Sequence, residues 1–160
     1  MNPIEKYNKY ADEVDSLLCV SLDPDFEKIP AKFKTLEHPQ FEFNKYIIEE
    51  TKKYVSSYKL NIAFYEGRGV LGMTDMKMTM DYLQDNYPDI FTICDAKRGD
   101  IGNTNVQYAQ EVFDWLGFDS ITMQPYLGRE PLQTLLDRKD KITIILCRTS
   151  NPGAREFQDL

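Results

Sequence analysis

Short apolar runs recur at residues 17–22, 58–64, 90–94, 120–123 and 142–147, separated by longer stretches of mixed apolar and polar spacing. Runs this short fit strands buried on at least one face, and the stretches between them fit helices. Helices are expected over 41–55, 73–86, 103–116 and 130–136, each with Pro, Gly or Asn near an end, and a further helix over 4–14 precedes the first strand. Asn103 or Thr104 suits the N-cap of the third of these, and Gly117 its C-terminal stop. A repeated strand-helix alternation is the pattern of an α/β protein with a parallel sheet. No linker, low-complexity stretch or break in composition divides the chain, so residues 1–160 read as a single domain.

Parity within the runs adds direction. Successive strand side chains alternate faces. Lys59, Asn61 and Ala63 therefore share one side and Leu60, Ile62 and Phe64 the other; in the first run Cys19, Ser21 and Asp23 oppose Leu18, Val20 and Leu22. The apolar side suits packing on helices, which leaves the polar side chains converging opposite. In a parallel barrel that face lines the lumen, and catalytic groups gather at its C-terminal rim. A complete (β/α)8 TIM barrel takes about 250 residues, so five βα units make an incomplete one. An open doubly wound sheet of five strands also fits the length and would place the same strand ends at a cleft.

The net charge of -7 and pI near 4.8 disfavour a nucleic-acid surface, which needs clustered Lys and Arg. No apolar stretch approaches the roughly 20 residues of a membrane span, and residues 1–10 are polar rather than signal-like. A cytoplasmic chain is the expectation. Cys19, Cys94 and Cys147 are odd in number, far apart and each inside an apolar run, which fits buried thiols and neither a disulfide framework nor a zinc site. His38 is the sole histidine and lies beside Pro39 in a polar connection without evident partners, arguing against a Ser-His-Asp triad and a histidine-rich metal site. Phe41, Tyr46, Trp115 and Tyr126 read as core or subunit contacts.

The densest chemistry is Asp95-Ala96-Lys97-Arg98-Gly99-Asp100-Ile101-Gly102-Asn103-Thr104, directly after the third run. Asp95 and Lys97 fall on one face, Cys94 and Ala96 on the other. A carboxylate beside an ammonium stays ionised and keeps its partner protonated, so the pair offers a fixed negative charge and a deliverable proton. An arbitrary Asp-x-Lys more often reads as a surface salt bridge in a strand-to-helix turn; the third charge, Asp100, and the Gly-Asn-Thr helix start shift the balance toward a site. Lys59 inside a strand points the same way, since lysine is almost never fully buried unpaired. Asp23 before Pro24 equally suits a turn, Asp100 equally suits a helix cap, and Arg98 is expected on the surface.

The same run resembles the Asp-x-Lys-x-x-Asp signature of the orotidine 5'-phosphate decarboxylase family. Leu22-Asp23-Pro24-Asp25 resembles that family's first-strand aspartate, Lys59-Leu60-Asn61-Ile62-Ala63-Phe64-Tyr65 its second-strand lysine, and Cys147-Arg148-Thr149-Ser150-Asn151-Pro152-Gly153 its fifth-strand hydroxyl loop. The combination most resembles the subgroup of many bacteria and malaria parasites, and it spans the chain in the family's order. The resemblance implies the N-terminal portion of a TIM barrel that converts orotidine 5'-phosphate to UMP and carbon dioxide in pyrimidine biosynthesis, with neither metal nor organic cofactor. It implies that Asp95 stresses the departing carboxylate while Lys97 stabilises the developing charge and protonates C6, within an array completed by Lys59 and Asp100. Asp23, Lys59 and Asn61 are expected around the ribose and the charges, and Thr149 or Ser150, which parity puts on opposite faces, at the pyrimidine. Asp100, Ile101 and Thr104 are expected to reach a neighbouring subunit's site, implying a homodimer.

The family grips phosphate with a glutamine and an arginine from its seventh and eighth strands, and Arg129 and Arg155 do not correspond to them by motif. The expectation is therefore a piece of a longer enzyme, inactive or very weak alone. Magnesium-dependent sugar-phosphate lyases and decarboxylases share Asp-x-Lys-x-x-Asp and are one alternative. A catalytically silent half-barrel acting as an interaction module is another.

Overall fold

In a computed structural model, which describes residues 3–159, the chain runs α1 (Pro3–Val14), β1 (Cys19–Ser21), α2 (Ala31–Lys34), α3 (Pro39–Thr51), β2 (Ser57–Asn61), α4 (Ala63–Glu66), α5 (Gly69–Asn86), β3 (Phe91–Arg98), α6 (Gly102–Ala109), β4 (Ser120–Met123), α7 (Gln133–Leu136), β5 (Ile142–Ile145) and α8 (Arg155–Gln158). All five strands pair in parallel in the order β1-β2-β3-β4-β5. A doubly wound sheet reverses its strand order at a switch point. Here each strand instead joins the edge left by the one before, as barrel winding requires, so the five units belong to a (β/α)8 barrel. Among the described residues β1 and β5 each have one strand neighbour.

The register separates two faces. Cys19 aligns with Ser57, Ser21 with Lys59, Asn61 with Asp95, and Ile93 with Ser120, forming the lumen face. The opposite face carries Tyr58, Leu60, Cys94, Ile121 and Met123, all fully buried against Ile48 of α3, Met76, Met80 and Leu83 of α5, and Val112 and Leu116 beyond α6. Burying an aliphatic or aromatic side chain of this size contributes about 1.5–3 kcal/mol, so this layer holds the lumen face in place. α1 lies at the N-terminal strand ends: Tyr7 meets Phe91 edge-on with ring centroids 5.7 Å apart, and Lys6 pairs with Asp119 at 2.8 Å.

Several element ends depart from the sequence reading. β2 stops at Asn61 because Ile62 turns into helical backbone and the Asn61 Oδ1 accepts the Ala63 N–H at 3.2 Å. The alternation therefore ends there, and Ala63 is an exposed helix residue. β3 runs on to Arg98 instead of ending at Cys94. α6 is not capped by Asn103 or Thr104; Ile101 stands at its N-cap without a side-chain hydrogen bond. Its continuation, Gln110–Trp115, is wound as a wider π turn, and Gly117 ends it with φ +80°. The 130–136 stretch divides into a single 3-10 turn, Glu130–Leu132, and α7. α2, α4 and α8 have no counterpart among the expected helices.

Cys94 is buried, and burial pushes its thiol pKa up, but Cys19 and Cys147 are exposed. Cys19 occupies the lumen face of an edge strand, and Cys147 lies beyond the end of β5, so neither apolar run encloses its thiol. Tyr46, Trp115 and Tyr126 are exposed rather than core, Tyr126 at 84%. His38 does have a partner, Asp75, whose Oδ1 lies 2.9 Å from its Nδ1.

Candidate active site

Four charged side chains of alternating sign meet where β1, β2 and β3 end. Lys59 Nζ lies 3.3 Å from Asp23 Oδ2 and 3.4 Å from Asp95 Oδ2, and Lys97 Nζ lies 2.5 Å from Asp95 Oδ1. Asp23 is fixed from its other oxygen, where Oδ1 accepts the Asn61 N–H at 2.9 Å. This removes the reading of Asp23 as a bare turn former. The Asp95 side chain is 12% exposed and that of Lys97 51%, so the acid is enclosed while the ammonium faces the open lumen. Burial pushes the Asp95 carboxyl up, but hydrogen bonds from Lys97 and Thr122 and the charges of Lys59 and Lys97 outweigh it, holding the group below its ordinary 3.8.

The pair owes its geometry to a bulge. Parallel pairing of β3 with β4 shifts between Cys94 and Arg98, and Lys97 takes φ +48°. Left-handed backbone costs a non-glycine residue about 1–2 kcal/mol, and it persists only where the surroundings enforce it. Here the Lys97 N–H is received by Thr122 Oγ1 at 3.0 Å, and the same hydroxyl donates to Asp95 Oδ1 at 3.0 Å. Two residues on, Gln124 donates its backbone N–H to Arg98 O at 2.8 Å and Nε2 to Gly99 O at 2.9 Å. A Cβ on Gly99 would come within 2.7 Å of the Gln124 carbonyl oxygen, so this close approach needs glycine. Arg98 is not free on the surface: it pairs with Glu66 of α4 and lies over the Tyr108 ring at 5.3 Å.

A second layer holds the β1 and β2 loops. Buried Gln40 of α3 donates Nε2 to Pro24 O and to Phe64 O, both at 2.9 Å, while its Oε1 accepts from Arg68 at 3.0 Å. Asp75 of α5 accepts the Gln40 N–H at 3.0 Å and lies against His38 and Arg68. Asn44 of α3 donates Nδ2 to the Tyr65 hydroxyl at 2.9 Å, and that hydroxyl donates to Leu22 O at 2.7 Å. Neither Thr122 nor this layer stood out in the sequence.

The remaining expected site residues are not drawn into the array. Asp100 spends Oδ1 on the Ile101 N–H at 2.7 Å, Ile101 is 59% exposed, and Thr104 lies in the first turn of α6. Thr149 Oγ1 is bonded to Asn151 Oδ1 at 2.6 Å and approached by Gln158, and Ser150 shares with Arg148 and Arg155 the recess beyond β5. Among the described residues no three His, Cys, Asp or Glu side chains gather as a metal site, and no helix is long and apolar enough to cross a membrane.

A parallel βα array with an acid-lysine chain at its C-terminal strand ends is the arrangement of a β/α-barrel protein. The sequence profile of the orotidine 5'-phosphate decarboxylase / HUMPS family matches residues 16–160, and the chain belongs to that family. It is 51% identical over 145 residues to an orotidine 5'-phosphate decarboxylase of Flavobacterium johnsoniae, covering 91% of this chain and 53% of that protein. Its counterpart from Christiangramia forsetii is 52% identical with the same coverage. The structure of Leishmania donovani OMP decarboxylase superposes with a TM-score of 0.87 at 34% identity, covering 100% of this chain and 59% of that one. The chain thus spans about half the length of the curated relatives it matches.

Proposed function

We propose that these 160 residues supply, as a single domain of five βα units, the decarboxylating half of an orotidine 5'-phosphate decarboxylase acting in pyrimidine biosynthesis. The observation that carries this is the Asp23-Lys59-Asp95-Lys97 chain, assembled at the strand ends by residues far apart in sequence.

In the reaction the bond from C6 to the carboxylate breaks, its electron pair stays on C6, and carbon dioxide leaves. The carbanion then takes a proton from the Lys97 ammonium, which solvent restores. The substrate carboxylate enters beside Asp95, which the surrounding lysines and Thr122 keep ionised; two like charges about 4 Å apart repel by roughly 4 kcal/mol at an effective dielectric near 20. As negative charge moves from the carboxylate to C6, Lys97 stabilises it in place. A few kcal/mol is only part of an enzymatic acceleration. The remainder comes on this reading from binding phosphate and ribose, which orders the reacting groups and expels water. Asp23, Lys59 and Asn61 face the ribose, and the loop with Thr149 and Ser150 meets the pyrimidine.

Asp100, Ile101 and Thr104 serve the site of a second copy in a homodimer. That Asp100 bonds the Ile101 N–H rather than the array, and that Ile101 is exposed, support that assignment. No metal or organic cofactor takes part, and the enzyme works in the cytoplasm. Mixing Lys97→Ala with Asp100→Ala protein tests the shared site: each mixed dimer regains one native site, so UMP formation returns on mixing, whereas unshared sites leave the mixture silent. Turnover that survives EDTA separates this reading from a magnesium-dependent sugar-phosphate lyase, which EDTA stops.

A further inference from the structure

The Thr122 hydroxyl touches both halves of the acid-lysine pair, and its hydrogen bonds run in one sense only. An amide N–H cannot accept, so the Lys97 N–H donates to Thr122 Oγ1 and the single hydroxyl proton goes to Asp95 Oδ1. Oδ1 also takes the Lys97 ammonium, while Oδ2 faces Lys59. Both carboxylate oxygens are thereby committed and the plane of the group is set.

The bulge makes the hydroxyl necessary. Residues 95–97 drop out of the β3–β4 register, so the Lys97 N–H loses its ladder acceptor and Thr122 Oγ1 replaces it at 3.0 Å. Thr122 is itself 8% exposed, lies in the fully buried strand β4 between β3 and β5, and is β-branched, which restricts its χ1.

We propose that Thr122 is a positioning residue: through one hydroxyl it fixes the Asp95 carboxylate and holds the left-handed backbone that aims Lys97 at the reacting carbon. The consequence for turnover rests on the decarboxylase reading above; the consequence for Asp95 does not, and it can be read without substrate.

The test compares Thr122→Val, which removes the hydroxyl and keeps the branched shape, with Thr122→Ser, which keeps the hydroxyl. Two readouts are taken on the complete protein: the Asp95 carboxyl titration by 13C NMR, and kcat and KM with orotidine 5'-phosphate. Expected for Thr122→Val is an Asp95 midpoint moved upward and kcat down about tenfold or more, with KM changing far less, as for a small misplacement of reacting groups. Thr122→Ser keeps the native midpoint and stays within about threefold in kcat. A folded Thr122→Val protein with native midpoint and native kcat overturns the proposal. So does Thr122→Ser that shifts the midpoint and loses kcat, because the hydroxyl would then not be what matters. If Thr122→Val does not fold, Thr122→Ala is read in its place against the same two outcomes. A wild-type protein that forms no UMP refutes the decarboxylase reading, and the Asp95 midpoints still decide the role of Thr122.

Discussion

At the scale of single residues, the site depends on where two lysines sit relative to one enclosed aspartate. Replacing Asp95 by Asn leaves Lys59 and Lys97 facing each other without the intervening charge. On the decarboxylase reading UMP formation then falls by about 10³-fold or more, the scale of losing a preorganised charged group, as measured by steady-state kinetics. The carboxyl titrates below its ordinary value in the fold, so its contribution to stability is present above 3.8 and is lost as pH falls from there through the folded value. Denaturation midpoints of wild type and Asp95→Asn therefore differ most near neutrality and converge in acid. The Asp95 and Lys97 pairing was legible in the sequence from period-two alternation, although the bulge and the left-handed backbone at Lys97 set its actual geometry, and Lys59 was legible because a strand lysine demands a partner. Thr122 was not legible, since a threonine in a strand is unremarkable until the bulge opposite it removes an acceptor.

At the scale of elements, α3 does more than cover the sheet. Its buried polar residues Gln40 and Asn44 lie one turn apart and hold the loops after β1 and β2. Gln40→Leu strands the Pro24 and Phe64 carbonyls and one arm of Arg68, and the expected loss in urea denaturation is about 3 kcal/mol or more, at 1–3 per unsatisfied buried group. An unchanged midpoint would remove Gln40 from the account. On the outer surface Glu49 of α3 accepts from Lys52, Tyr82 and Tyr87, which hold its carboxyl down to about 2. Its folded value lies below the ordinary 4.5, so its support for the α3–α5 contact is full above 4.5 and fades as pH falls toward 2. Glu49→Gln is expected to flatten the acid dependence of unfolding in that window. Apolar runs located all five strands because their outer faces pack on helices. Their ends were less legible: Asn61 terminates β2 by a side-chain turn, and β3 extends through charged residues whose side chains face the lumen or salt-bridge partners.

At the scale of the whole molecule, strand order turns local chemistry into a site. Consecutive pairing from β1 to β5 brings residues 23, 59, 95 and 122 to one rim. The βα rhythm made the class of fold legible, but it did not decide between barrel and doubly wound sheet, because both share that rhythm and differ only in which edge each strand joins. The exposed thiols of Cys19 and Cys147 show the limit of reading burial from apolar runs, since burial depends on what covers a sheet face as well as on the face itself. The most direct test is UMP formation from orotidine 5'-phosphate in the presence of EDTA, with intact mass measured on the same sample and Lys97→Ala protein alongside. The account predicts metal-independent turnover by protein of mass well above 18.7 kDa, no more than traces from the 160 residues alone, and none from Lys97→Ala. Robust turnover by the 18.7 kDa chain, or UMP formation that survives Lys97→Ala, would contradict it.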